Sequence, residues 1–160
     1  MEGEVTFKMK QTKENKIAVL VDSDNVSYKH IKEILDEVEK YGRICMKRVY
    51  GDFSKPAALA WKSEVLKNGF KTIHQFSYTD GKNATDIALV IEAIDILHDN
   101  EVDIFCIVSS DSDFTPLAQR LRESGKYVIG VGKHTTPEAF AASSAFALIK
   151  SAIVRIFEAN

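Results

Sequence analysis

The sequence predicts an α/β fold: one domain built on a doubly wound, mainly parallel, Rossmann-like sheet with helices on both faces. Three observations predict it. Five short, nearly all-apolar runs recur along the chain, longer segments with apolar residues at helical spacing separate them, and glycine stands at three helix-to-strand junctions. Strands with no polar face are covered on both sides, and strand–helix alternation supplies the cover.

Residues 1–15 are polar with scattered lysines and read as a flexible arm, leaving 16–160 as the domain. The expected strands are IAVLV (17–21), ICMKRVY (44–50), FKTIHQF (70–76), DIFCIVS (103–109) and YVIGV (127–131). Ile31, Ile34, Leu35 and Val38 mark the first helix between them, and Leu59, Val65 and Leu66 the second. Ile87, Val90, Ile91, Ile94 and Leu97 mark the third, and Leu117 and Leu121 the fourth. Gly42, Gly69 and Gly125 fall where left-handed C-caps are expected. After Val131 the pattern suggests a helix from about Pro137, then AFALI as a short strand. Right-handed crossovers give strand order 3-2-1-4-5.

A chain of 160 residues, 45% hydrophobic and 28% charged, can bury a core without covalent staples. Cys45 and Cys106 lie in apolar runs and read as packed, reduced thiols. No run is long enough to span a bilayer and the start lacks a signal-peptide core, so a cytoplasmic protein without a membrane partner is expected. The net charge of −2 argues against gripping nucleic acid by bulk electrostatics. An acidic cluster offset by bases elsewhere would give the same total.

Such a cluster is written into the sequence. The first strand runs into Asp22-Ser23-Asp24-Asn25 and the fourth into Ser109-Ser110-Asp111-Ser112-Asp113, while Asp86 opens the third helix. A parallel sheet brings strand ends and the following helix N-termini to one edge, with the first and fourth strands flanking the switch-point crevice. Each aspartate taken singly has an ordinary role, as an N-cap for Asp24 or Asp113 and a surface turn for Asp111. Together they repel one another unless a cation sits among them. Oxygen-only donors select a hard ion, Mg²⁺ or Mn²⁺.

IAVLVDSDN, KNATDIALVIEAI and VSSDSDFTPLAQRLRESGKYVIGVG resemble the three signature blocks of NYN domains, PIN-like nucleases, with the bacterial LabA-like group most similar; the resemblance spans roughly 16–149. It implies a metal-dependent nuclease cutting phosphodiesters, usually of RNA. It carries catalytic and metal-binding roles to Asp22, Asp86, Asp111 and Asp113, with Asp24 and Asn25 secondary. Lys82 matches a frequent lysine before the helix and, with Ser110, is expected to meet substrate phosphate. The chain departs from the pattern at Ser143-Ser144, where many relatives carry another acid. That departure implies a weakened second metal site.

The expected partner is single-stranded RNA; a homodimer and additional domains in the natural protein are compatible with the sequence. Two rival functions share these residues. A haloacid-dehalogenase-like phosphatase would use Asp22-x-Asp24 as its nucleophile motif, but Asn25-Val26 stands where that motif continues to threonine. A catalytically silent NYN module would bind RNA or protein through the same fold. Trp61 with Lys55 and Lys62 could form a stacking-and-phosphate patch, against the ordinary reading that Trp61 packs its helix on the sheet. None of His30, His74, His98 and His134 sits in a metal-ligand pattern.

Overall fold

The computed structural model describes residues 14–24, 26–76, 84–133, 145–149 and 152–157. In chain order these form β1 (Lys16–Asp22), α1 (Ile31–Val38), β2 (Arg43–Gly51), α2 (Pro56–Leu59), α3 (Lys62–Asn68) and β3 (Lys71–His74). There follow α4 (Ala84–Asp99), β4 (Ile104–Val108), α5 (Thr115–Glu123), β5 (Tyr127–Lys133), β6 (Ala145–Ile149) and β7 (Ala152–Phe157).

The sheet order is β3-β2-β1-β4-β5-β7-β6. The first five strands are parallel and follow the expected 3-2-1-4-5 order. AFALI is the strand β6, but it reaches the sheet only through β7, which runs antiparallel to both β5 and β6. The sequence pattern marks no strand at Ala152–Phe157. The region expected to be helical from Pro137 lies outside the described residues.

The alternation of β1 divides the core in two. Ile17, Val19 and Val21 pack with α1 and Trp61, while Ala18 and Leu20 pack with α4 and α5. The first helix presents its expected stripe, with Ile31, Ile34, Leu35 and Val38 all buried. A polar clamp fixes α4 on β2: Arg48 Nη1 donates to Glu92 Oε1 at 2.6 Å and Tyr50 Oη donates to the same oxygen at 2.9 Å.

Several expectations need correction. The second helix is two short helices, α2 and α3, and Leu59 (52%) and Leu66 (79%) are exposed instead of facing the core. In α4 the buried face is Thr85, Leu89, Ala93, Ile96 and Leu97, whereas Ile87 (58%) and Ile91 (56%) point to solvent. The unbroken apolar run Ile87–Ile91 offers more than one candidate stripe, so periodicity does not choose among them. Gly69 and Gly125 have the expected positive φ, but Gly42 is extended. Glycine is needed at 42 for space, because a Cβ there would stand 2.4 Å from the Asn15 carbonyl oxygen. Cys106 is buried, and burial pushes its thiol pKa up. Cys45 is exposed: β1–β2 pairing jumps from Ile44 to Met46, leaving Cys45 as the unpaired residue of a bulge. Trp61 is fully buried against Phe70 and donates its indole N–H to the Val26 carbonyl, so it packs and does not stack on a ligand.

Candidate metal centre

The carboxyl-terminal ends of β1 and β4 are neighbours because these strands pair in register from Ile17–Ile104 to Val21–Val108. Asp22 ends β1, and Ser109 follows β4 directly. Asp86 comes to the same edge in the first turn of α4. Carboxylates are favourable at a helix N-terminus, so this position suits an acid even without a ligand.

Asp86, Asp111 and Asp113 each place a carboxylate oxygen within 4.8 Å of the others. Asp111 Oδ1 accepts the Asp113 backbone N–H at 2.9 Å, which closes the short 3₁₀ turn Ser112–Phe114 ahead of α5. Asp113 does not cap the helix, the ordinary role its sequence position suggests: Phe114 occupies the cap position of α5 and no side chain caps it. Asp111 caps the preceding turn and also offers an oxygen to the cluster.

Asp22 lies behind this trio, fully buried. Ser109, also fully buried, donates its hydroxyl to Asp22 Oδ2 at 2.9 Å and accepts the Asp111 N–H at 3.1 Å. The Asp24 backbone N–H donates to Asp22 Oδ1 at 3.2 Å, while the Asp24 side chain is exposed and outside the group of three. Ser110 is half-buried between Ser109 and Asp111. Asn25, Lys82, Ser143 and Ser144 lie outside the described residues.

The electrostatics carry the mark of crowding. Burial, then the negative charge of Asp22, then a hydrogen bond and charge from Asp111, and finally Asp113 raise the Asp86 pKa to about 7. A hydrogen bond between the Asp86 and Asp111 carboxyl groups requires a proton on one of them, since two carboxylates have only acceptors. None of Asp86, Asp111 and Asp113 makes a salt bridge among the described residues; Arg48, which could have supplied charge, is committed to Glu92. An all-oxygen donor set with unneutralised charge fits a hard divalent cation. The setting of Asp22 is poor for the phosphatase alternative, whose nucleophile must reach a phosphorus atom, because this carboxylate has no exposed surface.

Comparison with known proteins is consistent with this geometry. A protein of unknown function from Vibrio parahaemolyticus has a crystal structure that superposes with TM-score 0.64 at 21% identity, covering 86% of this chain and 91% of that one. That likeness establishes the fold alone. An uncharacterized protein of Methanocaldococcus jannaschii is 28% identical over 127 residues, which is 77% of this chain and 50% of the relative. The chain thus spans about half the length of the curated relative it matches. No helix among the described residues is long and apolar enough to cross a membrane. The model of the NYN domain matches residues 16–150, a span that holds all four aspartates and every parallel strand, and the chain belongs to the NYN domain family.

Proposed function

We propose that this chain is a metal-dependent nuclease that hydrolyses phosphodiester bonds, and specifically an endoribonuclease acting on single-stranded RNA with Mg²⁺ or Mn²⁺. The observation that carries the reading is the convergence of Asp86, Asp111 and Asp113 on one point, with Asp22 buried behind them. Membership of a nuclease-like family supports it.

Asp86, Asp111 and Asp113 are the residues that would hold the ion, and Asp22 adds negative charge at the floor of the site. A divalent ion held there supplies polarisation of the phosphodiester and acidifies water at neutral pH. Ser109 orients the site by tying Asp22 to the Asp111 backbone. Asp86 would have to be ionised to hold such an ion, since ligation requires the carboxylate form. Ser110, at the lip of the loop, and Lys82 are proposed to meet substrate phosphate.

Incubating the chain with end-labelled single-stranded RNA and Mn²⁺, beside Asp111→Asn and Asp22→Asn, tests the reading. Internal cuts by the parent and none by the variants support it. Equal cutting by all three, or cutting by none in Mn²⁺ or Mg²⁺, overturns it. Binding without cleavage would instead mark a silent NYN module.

A further inference from the structure

Away from the acids, the same edge of the sheet carries a row of rings. Phe53 follows β2, His74 ends β3, and Phe76 lies two residues on. The Phe53 and His74 ring centroids are 6.0 Å apart; His74 and Phe76 meet edge-to-face at 4.3 Å. His74 Nδ1 accepts the Phe53 backbone N–H at 3.1 Å, which locks its ring and leaves the proton of the neutral imidazole on Nε2. More than half of Phe76 (54%) is exposed. Behind the rings, Phe53, Leu59, Lys62, Val65, Leu66 and His74 line a groove of about 290 Å³. That volume is near the low end for small-ligand pockets, suited to one ring system. The exposure of Leu59 and Leu66 is thereby given a use.

Charge complements the rings. From Phe53 to Phe76 the chain has four lysines, Lys55, Lys62, Lys67 and Lys71, against one acid, Glu64, although the whole chain is at −2. Lys62, Lys67 and Lys71 make no salt bridge among the described residues. Of these, Lys62 lines the groove itself, and accessible rings beside a cation are the pattern that binds single strands, where bases stack and phosphates meet cations. Position agrees: His74 pairs with Gly51, whose neighbour Tyr50 pairs with Asp22. Two strand spacings of about 4.8 Å therefore separate the rings from the acidic edge at the level of the backbone, roughly 10 Å in all.

We propose that Phe53, His74 and Phe76, with the groove lined by Lys62 behind them, form a base-stacking subsite for single-stranded nucleic acid. This subsite, which rests on the nuclease reading above, holds a base while the strand runs along the edge to the acids. It differs from the stacking patch read in the sequence, since Trp61 is buried and other rings take its place.

The test is binding of a short labelled oligouridylate, and of its abasic counterpart, measured by anisotropy in EDTA so that no cleavage can occur. Phe76→Ala, at an exposed position, should leave the circular dichroism and melting temperature of the parent unchanged. It should weaken oligouridylate binding by about fivefold or more, the lower end for loss of one stacked base, and leave abasic binding unchanged. Lys62→Glu should weaken both. Parent-like affinity of Phe76→Ala for oligouridylate overturns the subsite. So does finding, by sedimentation, that Phe76→Ala abolishes self-association of the parent while RNA affinity is unaltered, which would make the groove an interface between two copies. The expected binding pattern in EDTA together with no cleavage in Mn²⁺ would sink the nuclease reading and leave the subsite standing.

Discussion

Ser109 donates its hydroxyl to Asp22 at 2.9 Å while both side chains are fully buried, so the last residue of one strand is tied to the first residue beyond its neighbour. The same oxygen accepts the Asp111 N–H, which couples the floor of the acidic site to the loop bearing two of its carboxylates. Ser109→Ala removes a donor from a buried acid and an acceptor from the loop. It should destabilise the metal-free protein by about 1–3 kcal/mol. It should also weaken Mn²⁺ binding by about 10–100-fold, as loss of a ligand-orienting partner does. Calorimetric titration and thermal melts check both; unchanged Mn²⁺ affinity would show that Ser109 merely fills space.

Asp86→Asn and Asp111→Asn should keep the fold and lose cleavage by more than about 100-fold, beyond the effect of losing an orienting partner. The fold survives Asp111→Asn because the amide oxygen of the new side chain can still accept the Asp113 N–H that closes the turn before α5. Both changes remove like charge from the cluster and should raise the metal-free melting temperature at neutral pH. Parent-like cutting by both variants, with contaminating nuclease excluded, would remove these residues from the site.

The pH dependence of stability follows from Asp86. Its pKa is about 7 in the folded chain against 3.8 as the ordinary value, raised first by burial and then by Asp22, Asp111 and Asp113. A carboxyl with a raised folded pKa contributes stability that is fully present below the ordinary value and lost as pH rises through the folded one. In EDTA the melting temperature of the parent should therefore fall, relative to that of Asp86→Asn, between about pH 4 and 7. A constant gap between the two across that window would show that Asp86 ionises without penalty.

Mn²⁺ should oppose that penalty. At about 100 times its dissociation constant it should add roughly 2.7 kcal/mol of stability by linkage. Below about pH 7 its binding should release a proton, because the ligand must be ionised. A titration that leaves the melting temperature unmoved would leave the cluster without a cation.

How much of this is legible in the sequence depends on what each residue's neighbours reveal. The parallel strands and their order can be read because IAVLV and DIFCIVS are apolar without alternation, and chirality then restricts the crossovers. That order alone brings Asp22 and the Ser109–Asp113 loop together. The buried face of α4 cannot be read, since Ile87 and Ile91 are as apolar as Leu89 and Ile96. Cys45 turns outward only because a bulge interrupts the β1–β2 ladder, and nothing in ICMKRVY announces a bulge. The role of Ser109 is also hidden: three serines line the loop, and only the ladder end decides which one reaches Asp22. His74 and Phe76 read as part of a strand, but β3 stops at His74, and the register with Gly51 is what sets the ring beside Phe53.

Salt should act only weakly on RNA binding. A chain at −2 whose lysines are scattered along its length can release few counterions. The plot of log affinity against log salt should be shallow, corresponding to about two to four phosphate contacts at roughly −0.7 each for a single strand. Single-stranded RNA should bind better than duplex, because unpaired bases can leave the stack and a lone strand can follow the sheet edge. Ca²⁺ should tighten binding by neutralising Asp86, Asp111 and Asp113, whose charge otherwise repels the nearest phosphate. The tightening should vanish in Asp111→Asn if that carboxylate helps hold the ion. A salt series on a short labelled RNA, with and without Ca²⁺, measures all of this at once. A steep slope with metal-independent nanomolar affinity would contradict the account, because it would require a basic surface much larger than Lys55, Lys62, Lys67 and Lys71 provide.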